Sequence, residues 1–312
     1  MFTTAGQIVM GSDFVTLSLT PLLIGICASM ACALPGNFLL LRKQALIGDA
    51  ISHVVLPGIV VAFLFTGQVS TWPMMIGAAV AAIIAVLLIE FICRVGKIES
   101  GAAMGVIFTS MFAGGVLLLE QSDTSQVHLD VEHALFGNLE SLIWLDAEGW
   151  ASLFDLNALA GLPLELVRMM TVLLVIVIFI YIFWRPLALI CFDEPYARTR
   201  GVAATALGFA LVTLTAIAAV AAFDAVGSII VIAMIICPPA AARLMVNSLR
   251  SQVIYSQVLA VIATVVGYIL AGYAPLWLGF SNTLSAAGMI ATMSGVFLAF
   301  AALFGPHRRR NI

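Results

Sequence analysis

The sequence predicts an all-α membrane protein, a polytopic bundle of eight to nine transmembrane helices forming one transmembrane domain over residues 1–312. Its composition is 63% hydrophobic and only 9% charged. Soluble domains carry about a quarter charged residues, and so few charges cannot cover a globular chain of this length. The uncharged stretches have the length of membrane spans, and the basic residues fall on alternate sides of them. These three features require lipid as the solvent for most of the chain.

A span needs roughly 20 apolar residues to cross roughly 30 Å of hydrocarbon. Residues 14–41, 102–119, 169–184, 201–223 and 225–242 hold no charged side chain. Residues 50–89 are uncharged apart from the titratable His53, and 251–307 are uncharged until His307. Each of these two runs is twice one span and contains a turn-like break. The first breaks at Thr66-Gly67-Gln68 to Trp72-Pro73, the second at Tyr273-Ala274-Pro275 to Ser281-Asn282. Five single runs and two double ones give nine crossings. Eight result if residues 14–41 or 102–119 fall short of spanning.

Cytoplasmic loops are enriched in Lys and Arg. With the N-terminus outside, Arg42, Lys43, Arg94, Lys97, Arg185, Arg198, Arg200, Arg243, Arg250 and Arg308 to Arg310 are all cytoplasmic. That is twelve of thirteen basic residues, leaving only Arg168 outside. The expected placement is multi-pass, N-terminus out and C-terminus in the cytoplasm. No basic n-region precedes the first apolar run, so the first helix is expected to serve as its own insertion signal. The five cysteines, odd in number and in or beside spans, read as apolar packing residues without a disulfide framework.

Nine of the sixteen acidic residues lie between Glu120 and Glu165, uninterrupted by Lys or Arg. This is the one long external segment. Its residues Glu120, Asp123, Asp130 and Glu132 suit an anionic entrance that concentrates cations and docks a delivery protein, or simply a soluble outer loop. Trp144 and Trp150 suit the membrane interface. On the inner side, residues 192–202 read as a short helix. Asp193 and Glu194 lead, Pro195 sits in the first turn, Glu194 and Arg198 are an i,i+4 pair, and Gly201 fits a C-terminal cap. It is either a solvated connector or a lever, with Ala197 on it, gripped by a cytoplasmic partner. Pro35-Gly36, Pro57-Gly58 and Cys237-Pro238-Pro239 interrupt spans. A proline removes a helix hydrogen bond, which lipid tolerates only against protein or a water-filled cavity.

Several classes are excluded. There is no G-x-x-x-x-G-K-[ST] loop, the only lysines being Lys43 and Lys97, so the chain does not hydrolyse ATP in the P-loop manner. No H-E-x-x-H or G-x-S-x-G occurs, and nothing points to nucleic acid. What stands out is Gly48-Asp49-Ala50-Ile51-Ser52-His53. Asp49 and His53 are four residues apart, on one helix face within reach of a common ion. An intramembrane ionisable residue marks function by default, and carboxylate plus imidazole suits Mn, Fe or Zn better than Ca or Mg. The other reading makes Asp49 an N-cap and His53 a hydrogen-bonded core residue. Glu90 can pair with Arg94 at i,i+4, Asp224 falls at an outer turn, and Cys237 precedes two prolines.

Residues 41–58, from Leu41-Arg42-Lys43 through Gly48-Asp49-Ala50-Ile51-Ser52-His53 to Leu56-Pro57-Gly58, closely resemble the signature of the manganese/zinc/iron ABC transporter permeases. Leu135-Phe136-Gly137-Asn138, Phe192 to Val202, and Val226-Gly227-Ser228 through Pro238-Pro239 to Arg243 follow in that family's order. The resemblance implies a type II importer permease, similar to the vitamin B12 permease class. It implies two copies forming the pore, two cytoplasmic ATP-binding subunits, and an external metal-binding protein. Asp49 and His53 would bind the metal transiently, and residues 192–202 would be the ATPase-coupling helix. No permanently bound cofactor is implied. Val127-His128-Leu129-Asp130 is closer to the manganese-type members, with zinc and iron as alternatives. The stretch between Trp144 and Arg168 is longer than the family pattern. The rival reading is an ion-coupled secondary transporter or channel working alone.

Overall fold

The structure is a computed structural model that describes residues 14–67, 71–121, 137, 139–147, 149–155, 158–159, 161–277 and 284–306. Among the described residues ten α-helices carry the fold: α1 Thr20–Leu41, α2 Ile47–Thr66, α3 Thr71–Gly96, α4 Ser100–Gln121, α5 Leu164–Ile182, α6 Trp184–Phe192, α7 Glu194–Thr199, α8 Ala204–Met245, α9 Leu249–Trp277 and α10 Ala286–Phe304. A π-helical turn, Val15–Leu19, leads into α1. Eight segments among the described residues are long and apolar enough to cross a membrane, α8 supplying two of them. The eight include both stretches expected to be marginal, Val15–Leu41 and Ser100–Leu118. A further apolar helix, α2, is 20 residues long, and its apolar part among the described residues is His53–Thr66.

The breaks fall where backbone chemistry forces them. Gly67, left-handed at φ 65°, ends α2. α5 stops at Ile182 because Pro186, four residues on, has no N–H to offer its carbonyl, and the chain re-enters helix as α6. Within α8 the interruption lies at Gly227 (φ 79°, ψ 165°), not at the charged Asp224. Only glycine adopts that conformation without strain. Pro275 frees the Ala271 carbonyl inside α9, and the Leu284 N–H takes it at 3.2 Å.

α1 and α8 form the packed centre, with α2, α9 and α10 against them, while α5 presents Leu174, Val177, Tyr181 and other large apolar side chains outward. Without a hydrophobic drive between helices in lipid, close approach and polar seams hold such a bundle. One seam joins α1 to α9. Asn37, fully buried, donates from Nδ2 to Ser256 Oγ and to the Ala33 carbonyl, both at 2.7 Å. Gln252 Nε2 donates to Asn37 Oδ1 at 3.3 Å, and Ser29 meets Thr264 at 2.7 Å. Asn37→Ala breaks three of these bonds, and at about 0.6–1.7 kcal/mol per intramembrane bond it should lower the thermal-unfolding midpoint in detergent. An unchanged midpoint would show the seam to be dispensable.

Elements expected on one side of the membrane gather at one end. The Trp144 N–H donates to the Thr16 carbonyl at 3.0 Å, Thr16 Oγ1 donates to the Ala147 carbonyl at 2.9 Å, and Phe14 stacks on Trp150. Trp150 is half exposed, as an interfacial residue is, but Trp144 is fully buried. Its indole Nε1–H donates to the Ala158 carbonyl at 2.9 Å. That bond replaces the water an interfacial tryptophan would use, so the extra stretch after Trp144 serves as its lid.

Candidate metal pathway and coupling helix

The site grows from helix crossings made close by glycine. A Cβ on Gly36 of α1 would collide with the Ile235 carbonyl oxygen of α8. That carbonyl is the one Pro239 cannot bond, since Pro239 lies four residues on and has no N–H. The first residues of α2 reach the same spot, a Cβ on Gly48 coming within 2.7 Å of Ile235 Cδ1. Thus Pro35-Gly36, Gly48-Asp49 and Pro238-Pro239, far apart in sequence, converge around Ile235. Farther along α2, Gly58 and Gly77 of α3 face each other so closely that a Cβ on either would meet the other's carbonyl oxygen. Pro57 packs against Gly115 of α4, where a Cβ would lie 2.8 Å from the proline ring.

Asp49 and His53 lie one turn apart on α2. His53 is half-buried, its ring stacked on Phe108 at 5.3 Å between centroids and edge-on to Phe112 at 5.6 Å, both from α4. The imidazole is therefore packed between two aromatic rings of α4. The Asp49 side chain lies outside the described residues. Among the described residues no three His, Cys, Asp or Glu side chains are grouped to hold a metal ion.

The connector expected on the inner side forms a helix within its predicted bounds, as α7. Asp193 Oδ1 accepts the Tyr196 N–H at 2.9 Å as N-cap, Pro195 occupies the first turn, and Glu194 pairs with Arg198 at 2.7 Å. Gly201, left-handed at φ 78°, closes the end, and the Val202 N–H returns to the Ala197 carbonyl at 3.0 Å. Ala197 is fully buried and anchors α7, while Tyr196 and Arg200 stay exposed. The exposed ion pair contributes little, about 0.3–0.5 kcal/mol, so the caps define this helix. Asp193→Ala should loosen it by about 1 kcal/mol. Amide hydrogen exchange should quicken at Tyr196, and unchanged exchange would show that the cap does not hold α7.

The remaining residues singled out in the sequence fall as follows. Glu90 bonds Arg94 at 2.7 Å. Cys191 donates a weak hydrogen bond to the Phe38 carbonyl, and burial pushes its thiol up to about 11, which leaves it an inert packing residue. Glu120 is exposed at the end of α4. Asp123, Asp130 and Glu132, with His128 and His133, lie outside the described residues, as does the Asp224 side chain. Arg168 donates to Met75 Sδ at 2.8 Å.

Two contacts had no signal in the sequence. Glu140 Oε1 accepts the Ala286 N–H at 2.8 Å and so caps α10 from the acidic segment. Gly137, at φ 70°, lies against Val226 and Gly227, where α8 breaks. The two glycine motifs thus meet, each supplying backbone that another residue's Cβ would block.

A broken, glycine-crossed bundle of membrane-length apolar helices, with a short capped helix between α6 and α8, defines a polytopic helical membrane protein. The chain belongs to the ABC 3 transport family, whose model matches residues 16–146 and 156–304. It is 36% identical over 282 residues to the manganese transport system membrane protein MntD of Bacillus subtilis, covering 90% of both chains. It is 35% identical to the zinc transport system membrane protein TroD of Treponema pallidum over 93% of this chain and 74% of that one. The fold matches that of PsaBC from Streptococcus pneumoniae, solved in complex with Fab, with a TM-score of 0.74 and 26% identity. That match covers 99% of this chain and 98% of the other. The family match stops at residue 146 and resumes at 156, within the stretch that lids Trp144.

Proposed function

We infer that the chain is the permease subunit of an ATP-driven importer for a divalent transition metal, with manganese the first choice and zinc and iron next. The observation that carries this reading is the pairing of Asp49 and His53 one turn apart on α2, with the imidazole packed between two aromatic rings of α4. Carboxylate and imidazole together suit these three borderline ions. Relatives named for manganese and for zinc transport put the same cargo first.

In this reading two copies of the chain bring two Asp49 and two His53 to a shared axis, giving a transient four-ligand site. Binding there is strong enough to strip water and weak enough to release the ion inward. The chain lacks a P-loop, so a cytoplasmic ATP-binding subunit drives it through α7 and Asp193, Glu194, Pro195, Ala197, Arg198 and Gly201. An external metal-binding protein delivers the ion to a mouth bearing Glu120, Asp123, Asp130 and Glu132. The N-terminus lies outside and the C-terminus inside. The kinks at Pro57-Gly58 and Pro238-Pro239 let the helices around the path shift. No cofactor is resident; the metal is cargo.

Accumulation of manganese, zinc and iron in cells with and without the gene tests the cargo, and loss of manganese uptake is the expected result. Proteoliposomes carrying the chain with and without its ATPase test the mechanism. Metal uptake by the chain alone, without ATP, would replace this reading with that of a secondary transporter or channel.

A further inference from the structure

A cavity of about 530 Å³ opens between the α1–α2 turn, the last turns of α3, the α7 lever and the start of α8. It lies on the side assigned to the cytoplasm, away from His53. Five charged side chains line it: Arg42, Glu90, Arg94, Glu194 and Arg198. Both carboxylates are already engaged, Glu90 by Arg94 and Glu194 by Arg198, each at 2.7 Å. The fifth group, the Arg42 guanidinium, is left over. Its Nη1 is buried without a hydrogen-bond partner. A buried charged donor left unmade is expensive, and this one stands in a cavity large enough to admit an acceptor.

Charge selects the occupant. Two closed pairs and one unmatched guanidinium leave the cavity one positive charge in excess, which disfavours a cation. An arginine fork matches phosphate oxygens. The rest of the lining mixes the polar Gln44, Ser100 and Thr205 with apolar side chains, Ile89 and Val212 buried and Phe209 half-buried. A free phosphate ion would leave these side chains facing water, whereas an ester carrying hydrocarbon would cover them. Basic pockets between membrane helices on the cytoplasmic side are the usual setting for anionic headgroups.

We propose that this cavity binds the phosphate of an anionic phospholipid from the inner leaflet, with Arg42 as the phosphate ligand. The lipid bridges the turn that leads into the Gly48–His53 segment, the inner end of α3 and the lever helix. It thereby ties the element read as ATPase-coupling to the helix read as metal-bearing. The leaflet depends on the orientation proposed above; the site itself does not.

Native mass spectrometry of the purified permease in detergent, titrated with phosphatidylglycerol, tests the site independently of transport. One phosphatidylglycerol should survive activation that strips phosphatidylcholine. Arg42→Gln should lower its retention by at least about tenfold, as expected for loss of a charge-assisted bidentate contact. Gly208→Ala provides a second variant that keeps every charge. Its Cβ would press on the Arg42 guanidinium, with Cζ at 2.9 Å, and the far end of that flexible side chain can swing away with the fold intact. It should lower retention similarly at an unchanged unfolding midpoint. Arg250→Gln, an exposed arginine outside the cavity, should retain the lipid. Equal retention in wild type, Arg42→Gln and Gly208→Ala would overturn the proposal, as would equal loss in Arg250→Gln. Displacement of phosphatidylglycerol by millimolar inorganic phosphate would overturn the lipid assignment.

Discussion

Alanine in place of Asp49 or of His53 should cut metal accumulation by more than about 100-fold, since outer-shell partners of metal ligands alone are worth about 10–100-fold. Membrane levels of the permease and its co-purification with the ATPase should stay at wild-type values. Asp49 opens the helix α2 and His53 projects from its next turn toward Phe108 and Phe112. The closest helix crossings are made by Gly36, Gly48, Gly58 and Gly77, and His53 meets α4 through the two rings. Packing should therefore survive both substitutions. If the two residues act on one ion, the double variant will be no worse than either single one, because groups acting as a unit are not additive. Radiolabelled manganese uptake into cells lacking other importers is the direct measurement. Wild-type uptake by both single variants would remove the pair from the pathway and restore the reading of an N-cap beside a core histidine.

The features legible in the sequence are those that lipid imposes locally. Charge-free runs located the spans because each crossing must satisfy its backbone within itself. The short helix within residues 192–202 was legible, since Pro195 and Gly201 are local signals that take the first turn and the C-terminal end, although its observed span is the narrower Glu194–Thr199. Charge was a poorer guide to breaks inside long runs. Asp224 marked the interruption of α8, but Gly227 makes it, because the required φ of 79° penalises a side chain and not a charge. Likewise Arg185 hid the role of Pro186 in splitting α5 from α6. Trp144 was misplaced at the interface because its acceptor, the Ala158 carbonyl, belongs to a stretch with no pattern of its own.

The candidate site was half legible. Asp49 and His53 stand out as polar residues at one-turn spacing in an apolar run, whereas the rings that hold His53 come from α4, fifty residues away. The convergence of Gly36, Gly48 and Pro239 on Ile235, and of Gly137 on Gly227, is likewise beyond one sequence. Small residues mark helix contacts without naming partners. The Arg42 cavity is hidden for the same reason, being assembled from elements far apart in the chain.

Valine at Gly58 should unfold the crossing that carries the site. Gly58 and Gly77 place the backbones of α2 and α3 in mutual contact, each lacking the Cβ that would strike the other's carbonyl oxygen. Backbone cannot step aside as a side chain can, so a branched residue forces the two helices apart. Overpacking in a well-filled core costs about 1–3 kcal/mol, occasionally more, and a rigid obstacle belongs at the upper end. Separating α2 from α3 also shifts His53, five residues earlier on α2, off the Phe108 ring. Gly58→Val should thus lose both monodisperse yield in detergent and metal uptake. The same substitution at Gly77 should do likewise, and the double variant should not restore either. Gly101 and Gly105 of α4 supply the control, since a Cβ on either enters open space. Alanine at these positions should be neutral or should stabilise α4 by up to about 1 kcal/mol through helix propensity. Normal yield and uptake from Gly58→Val would mean that α2 and α3 are not bound at this point, and that the position of His53 is set by α4 alone.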